Sequence, residues 1–118
     1  LTRGFNVWPS NPENRIEEPD NQLVLHTLLR STDFSEKVSA SFVHIQGLHR
    51  PLITHSELRI YLVVSGSIDF LLNATERVSL TKGDALTINA GTLYQLEGEG
   101  EYYVLNVPGF QDGDDVYL

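Results

Sequence analysis

From residue 22 to residue 107 no apolar run keeps a helical period long enough for an amphipathic helix. The apolar residues come in short, β-branched runs cut by glycine and turn-forming residues. This spacing predicts strands over residues 22–29, 38–46, 55–66, 67–72, 77–80, 85–88, 93–96 and 101–107. Roughly eight to ten short strands at close spacing mean an all-β sandwich or barrel. Ser65-Gly66-Ser67 reads as a hairpin hinge, and Glu97-Gly98-Glu99-Gly100 as a break between two strands. Pro9, Pro12 and Pro19 make residues 1–21 a turn-rich arm, leaving residues 22–118 as one barrel domain. Trp8, the only tryptophan, is expected to seal a barrel end or an interface.

At 118 residues the chain can bury one core without staples. It has no cysteine, which excludes disulfides and thiolate metal sites. A net charge of −8 with no local Lys/Arg cluster argues against a nucleic-acid partner. No apolar run approaches the ~18 residues of a membrane helix, so a cytoplasmic protein with no membrane partner is expected.

Candidate chemistry gathers in His55-Ser-Glu-Leu-Arg-Ile-Tyr-Leu-Val-Val-Ser-Gly66. On an extended backbone His55, Glu57, Arg59 and Tyr61 project to one face, while Ile60, Leu62 and Val64 take the other. With the polar end turned inward, such a strand gives a barrel a polar mouth above an apolar floor, the anatomy of a small-molecule site. Arg59 in a dry barrel calls for an anion, although pairing with Glu57 or Glu101 is the plain structural alternative. His44 shares its strand face with Phe42 and Gln46. His26 and His49 read as ordinary strand or loop residues, and the tail with Asp112, Asp114 and Asp115 as a solvated surface.

Residues 47–66 and 83–98 together resemble the two motifs of a small single-domain cupin, an all-β jelly-roll barrel of two antiparallel sheets. Gly47, Gly66, Gly83 and Gly91 match the motif glycines, and His55 matches the second histidine of the first motif. Ile53 stands at the first histidine, Arg59 at the glutamate and Tyr94 at the histidine of the second motif. The resemblance covers residues 38–118 and implies the fold more firmly than the chemistry.

Metal-binding cupins hold a divalent transition metal with three histidines and a glutamate, and only His55 of that set is kept. No cofactor is therefore expected; a metal site, if present, would draw on His55, Glu57 and His44. The favoured expectation is a cupin-fold protein that binds a small anionic sugar-, carboxylate- or polyketide-like molecule. Arg59, Tyr61, Glu57 and His44 would bind it, and His55 and Tyr94 would act as acid and base without a metal, in isomerase, epimerase, lyase or cyclase chemistry. The alternatives are a non-enzymatic ligand-binding or sensor module, and a divergent metal-dependent oxygenase or isomerase. Small cupins are commonly dimers, so the resemblance implies a homodimer using the arm and the edge of residues 22–29.

Overall fold

A computed structural model of the chain describes residues 4–118. Nine strands run in chain order: β1 (Arg15–Glu18), β2 (Leu23–Leu29), β3 (Ser39–Leu48), β4 (Leu52–Thr54), β5 (Leu58–Leu72), β6 (Glu76–Thr81), β7 (Ala85–Asn89), β8 (Leu93–Val107) and β9 (Asp115–Tyr117). Two 3-10 turns, Pro12–Asn14 and Pro19–Asn21, flank β1. No helix among the described residues is long and apolar enough to cross a membrane.

Every pairing is antiparallel, and β5 and β8 are the two long strands about which the rest is arranged. They pair along most of their length, from Leu58↔Val107 to Leu72↔Tyr94. The first part of β5 also carries β7, and its last part carries β6. On its other edge β8 pairs β3 over Glu97–Asn106 and β4 at Leu93 and Tyr94. One layer is thus β1-β2-β3-β8-β5-β7 and the other is β9-β4-β8-β5-β6, with β5 and β8 bending from one to the other. That is a jelly roll.

The bend replaces two breaks expected from the sequence. Ser65-Gly66-Ser67 is not a hairpin, and Glu97–Gly100 does not divide two strands; each lies inside one continuous 15-residue strand. The reason is close approach. Gly66 (φ +75°) faces the Glu99 carbonyl and Gly98 (φ +149°) faces the Ser67 carbonyl, each too near for a side chain. Glycine here lets two paired strands fold together over a bulge between Val63 and Ser65.

The alternation within each strand decides what fills the barrel. On β3 Ser39, Val43 and Ile45 are buried while His44 and Gln46 are exposed; on β5 and β8 Tyr61, Ile68, Phe70, Tyr94, Leu96 and Tyr102 point inward. Fully burying a side chain such as Ile45, Ile68 or Phe70 stabilises the fold by about 1.5–3 kcal/mol. Tyr61 meets Phe70 edge-on with ring centroids 4.9 Å apart, so aromatic packing plugs one part of the barrel.

The sheet starts inside the expected arm. β1 pairs β2 through Arg15↔His26 to Glu18↔Leu23, which covers the β2 edge expected to be free for a partner chain. Trp8 is 42% exposed and packs edge-on against Phe34, so it does not seal the barrel end. The tail also departs from expectation. β9 pairs β4 through Leu52↔Tyr117 to Thr54↔Asp115, which carries Asp115 inward while Asp112 stays exposed.

Candidate functional site

A cavity of about 270 Å³ opens between β1, β2, β3, the inner faces of β5 and β8, and the tail. Its apolar wall includes Leu23, Leu25, Val43 and Val104; its polar groups include Glu18, Arg30, His49, Arg59, Tyr61, Tyr102, Asn106, Asp115 and Tyr117. An apolar cup with a few convergent polar groups is the usual form of a small-molecule site.

Arg59 is the centre of the polar network. It sits opposite Asn106 in the β5–β8 ladder, and its Nε donates to Asn106 Oδ1 at 2.7 Å. Nη1 donates to Tyr94 Oη at 2.9 Å and to Asp115 Oδ2 at 3.0 Å, and Nη2 donates to Asp115 Oδ1 at 2.8 Å. The two charged side chains are only 5% and 12% exposed, so this is a buried, bidentate ion pair. Burial works against the Arg59 cation, but Tyr61, Tyr94 and Asp115 outweigh it and the guanidinium stays charged.

This geometry corrects the reading of Arg59 as an anion receptor. The side chain does face the barrel interior, but its charge is matched by Asp115 rather than left for a ligand, and neither Glu57 nor Glu101 is its partner. Asp115 comes from the tail assigned to the surface; only the β4–β9 pairing delivers it.

The tyrosines extend the network. Tyr94 Oη accepts from Arg59 and lies 2.7 Å from Tyr61 Oη, in a buried hydroxyl pair. Burial raises the pKa of both phenols, so at neutral pH both keep their protons and serve as donors. Either hydroxyl of the pair can donate to the other; when Tyr94 donates, the Tyr61 proton is free for a guest in the cavity. Tyr102 also lines the cavity, and burial raises the pKa of its phenol as well.

The imidazole in the cavity is His49, not His55. His49 lies in the connection from β3 to β4, is 7% exposed, and its backbone N–H donates to Leu96 O at 2.9 Å. Its Nδ1 is 2.7 Å from the Arg50 carbonyl oxygen, which can only accept. The proton therefore sits on Nδ1, and the neutral ring offers the Nε2 lone pair as a base. Burial lowers the His49 pKa below its ordinary 6.5, which keeps the ring neutral at physiological pH. The ring rests against Tyr117 at a centroid distance of 5.9 Å.

His55 and Glu57 are exposed and do not share the inward face of Arg59 and Tyr61. Alternation holds only on an extended backbone, and Ser56 and Glu57 form a bend before β5 begins. Ser56 anchors that bend: its N–H donates to Thr54 Oγ1 at 3.1 Å and its hydroxyl to Leu58 O at 3.4 Å. His55 N–H in turn donates to Asp114 O at 2.6 Å. His44 is on the outer face of β3, 3.8 Å from Glu101 Oε2. Of the six residues expected at the site, the fold brings together Arg59, Tyr61 and Tyr94 and leaves His55, Glu57 and His44 outside.

A divalent metal does not fit these residues. Among the described residues no three His, Cys, Asp or Glu side chains converge. His49 has its Nδ1 committed to a carbonyl, Asp115 is held by Arg59, and a buried guanidinium would repel the ion.

No protein-family model matches the chain, and no curated protein matches it. Solved structures do. A Streptomyces PAC13 variant with uridine is 19% identical, with a TM-score of 0.80 over 97% of this chain and 92% of that one. Pac13 is described as a unique nucleoside dehydratase, and variants with one histidine changed to glutamine, or one tyrosine to phenylalanine, have been solved with uridine. KdgF from Halomonas is 18% identical, with a TM-score of 0.72 over 87% of this chain and 94% of that one. An RmlC-like cupin from Shewanella frigidimarina is 17% identical, with a TM-score of 0.69 over 87% and 92%. With its two glycine-bent strands and the cavity between its layers, the chain has the fold of a small single-domain cupin.

Proposed function

We propose that this protein binds a small, neutral, hydroxyl-bearing molecule of the nucleoside class and removes water from it by metal-independent acid/base chemistry. The observation that carries this reading is the division of labour in the cavity. The buried cation Arg59 is neutralised internally by Asp115, while a neutral imidazole and protonated phenols face the ligand space. Likeness in fold to a nucleoside dehydratase supports the ligand class.

The chemistry follows from those groups. His49 Nε2 takes a proton from a carbon beside a carbonyl; the electron pair becomes a carbon–carbon double bond, and the β-hydroxyl leaves with the Tyr61 proton as water. An imidazole is too weak a base for an unactivated C–H, so the nucleoside must carry that carbonyl on its sugar. Arg59 acts through Tyr94 to support the phenol that donates, and Asn106 and Asp115 hold the guanidinium in place.

The test is incubation of the protein, with and without a chelator, with a panel of nucleosides and their oxidised forms, read by mass spectrometry. Loss of one water from a sugar-oxidised nucleoside, insensitive to chelation and abolished in His49→Gln, is the expected result. Recovery of every compound unchanged, with binding retained, assigns the cavity to a non-enzymatic binding module. Dependence on an added metal refutes the acid/base account.

A further inference from the structure

We infer that Glu18 is a specificity-determining residue that restricts the cavity to unphosphorylated ligands. This rests on the nucleoside reading above and concerns which members of that class are admitted.

The argument is a charge balance. Four side chains that are charged at neutral pH line the cavity: Glu18, Arg30, Arg59 and Asp115. Arg59 and Asp115 cancel as a buried pair. Arg30 is held by Asp33, its Nε and Nη2 donating at 3.3 and 3.2 Å, so its charge is also matched locally. Glu18 has no cation within ion-pair distance among the described residues; its one hydrogen-bond partner is the Asn21 amide, 2.9 Å from Oε1. Arg50 lies beyond Asn21, bonded through Nε to the Asn21 carbonyl oxygen and stacked 4.2 Å over the Tyr117 ring, and it does not line the cavity. Glu18 is thus the one charged side chain lining the cavity that has no ion-pair partner among the described residues.

Its placement is set by β1. Glu18 pairs Leu23 and Ile16 pairs Leu25, so this face of β1 follows the inward face of β2, and both Ile16 and Glu18 line the cavity. The carboxylate is near enough to His49 to favour its protonated form, although burial outweighs that influence. A fixed carboxylate accepts hydrogen bonds from ligand hydroxyls and repels a phosphate, which carries close to two negative charges near neutrality.

Isothermal titration of the full chain at pH 7.5 with uridine and with uridine 5′-monophosphate tests this. The wild type is expected to bind the monophosphate about tenfold or more weakly, the scale that one unmatched charge sets at a few ångströms inside a protein. Glu18→Gln, which keeps an acceptor for Asn21, is expected to narrow that ratio to about threefold or less. Equal affinities in the wild type, or a ratio unmoved by the substitution, overturn the inference. Tighter binding of the monophosphate does so too, and points to Arg30 as a phosphate anchor. If the variant does not fold, the wild-type ratio is read at low and high salt: a charge barrier shrinks as salt rises, and a ratio unmoved by salt overturns the inference. Absence of uridine binding by the wild type is a separate result: it removes the ligand class, and this inference with it.

Discussion

Replacing Asp115 by asparagine is the perturbation whose cost the structure fixes most directly. Arg59 and Asp115 are 5% and 12% exposed and meet through two bonds of 2.8 and 3.0 Å. Asparagine keeps the shape and one acceptor oxygen but removes the counter-charge, leaving a buried guanidinium held only by neutral acceptors: the new amide, Asn106 and Tyr94. Breaking a buried pair from one side costs about 3–5 kcal/mol, a large share of the roughly 5–15 kcal/mol that holds a domain folded. With a urea slope of about 1.5 kcal/mol per molar, the unfolding midpoint should fall by about 2–3 M. Equilibrium urea unfolding followed by tryptophan fluorescence and circular dichroism measures it. The double variant Arg59→Met with Asp115→Leu should recover most of the loss, because apolar groups of similar volume commonly replace a buried pair at little cost. A loss below about 1 kcal/mol for Asp115→Asn, the scale of an exposed pair, would refute the claim that this arginine is neutralised inside the barrel.

Other outcomes follow from the same geometry. His49 must be neutral to act as a base and its pKa lies below 6.5, so turnover should be flat at neutral pH and fall only at more acidic pH; a rate that drops on raising pH from 6 to 8 contradicts the assignment. Tyr61→Phe should lower kcat by about a hundredfold or more while changing KM little, since the lost group donates its proton in the transition state; an equal loss in KM makes it a binding residue only. Gly66→Ala should cost more than about 2 kcal/mol in urea unfolding, because its φ of +75° and the facing Glu99 carbonyl both exclude a methyl group. The expected homodimer would pair through the β1 edge, since β1 already covers β2; light scattering that reports a monomer at micromolar concentration refutes it.

How much of this was legible in the sequence depended on whether a residue's place is set locally. The apolar runs announced β2, β3 and β5 to β8 but not the short β1, β4 and β9, and the motif resemblance put Arg59 and Tyr94 in the barrel, where both are buried. The alternation rule failed at His55 and Glu57 because the Ser56 bend interrupts the extended backbone, and nothing in the residue pattern marks where a strand begins. Gly66 read as a hinge because a glycine between two apolar runs serves a turn or a close crossing equally well; only the pairing partner distinguishes them. His49, Glu18 and Asp115 were missed for a common reason. Each sits outside the expected strands, in a connection, a short edge strand and the tail; Asp115 is delivered by the β4–β9 pairing, His49 by its bond to Leu96, and Glu18 by a β1–β2 pairing inside the expected arm. Asp115 is one of three tail aspartates, with no local signal that singles it out.

The central claim is that a neutral polyhydroxylated guest occupies the cavity between His49 and the Tyr61–Tyr94 pair. A crystal structure of the Tyr61→Phe variant grown with uridine tests it most directly. The account predicts ligand density in that cavity, with His49 Nε2 within hydrogen-bonding distance of the sugar and the Arg59–Asp115 pair intact. Uridine bound elsewhere, or an Arg59 released from Asp115 to clasp an anion, would contradict it.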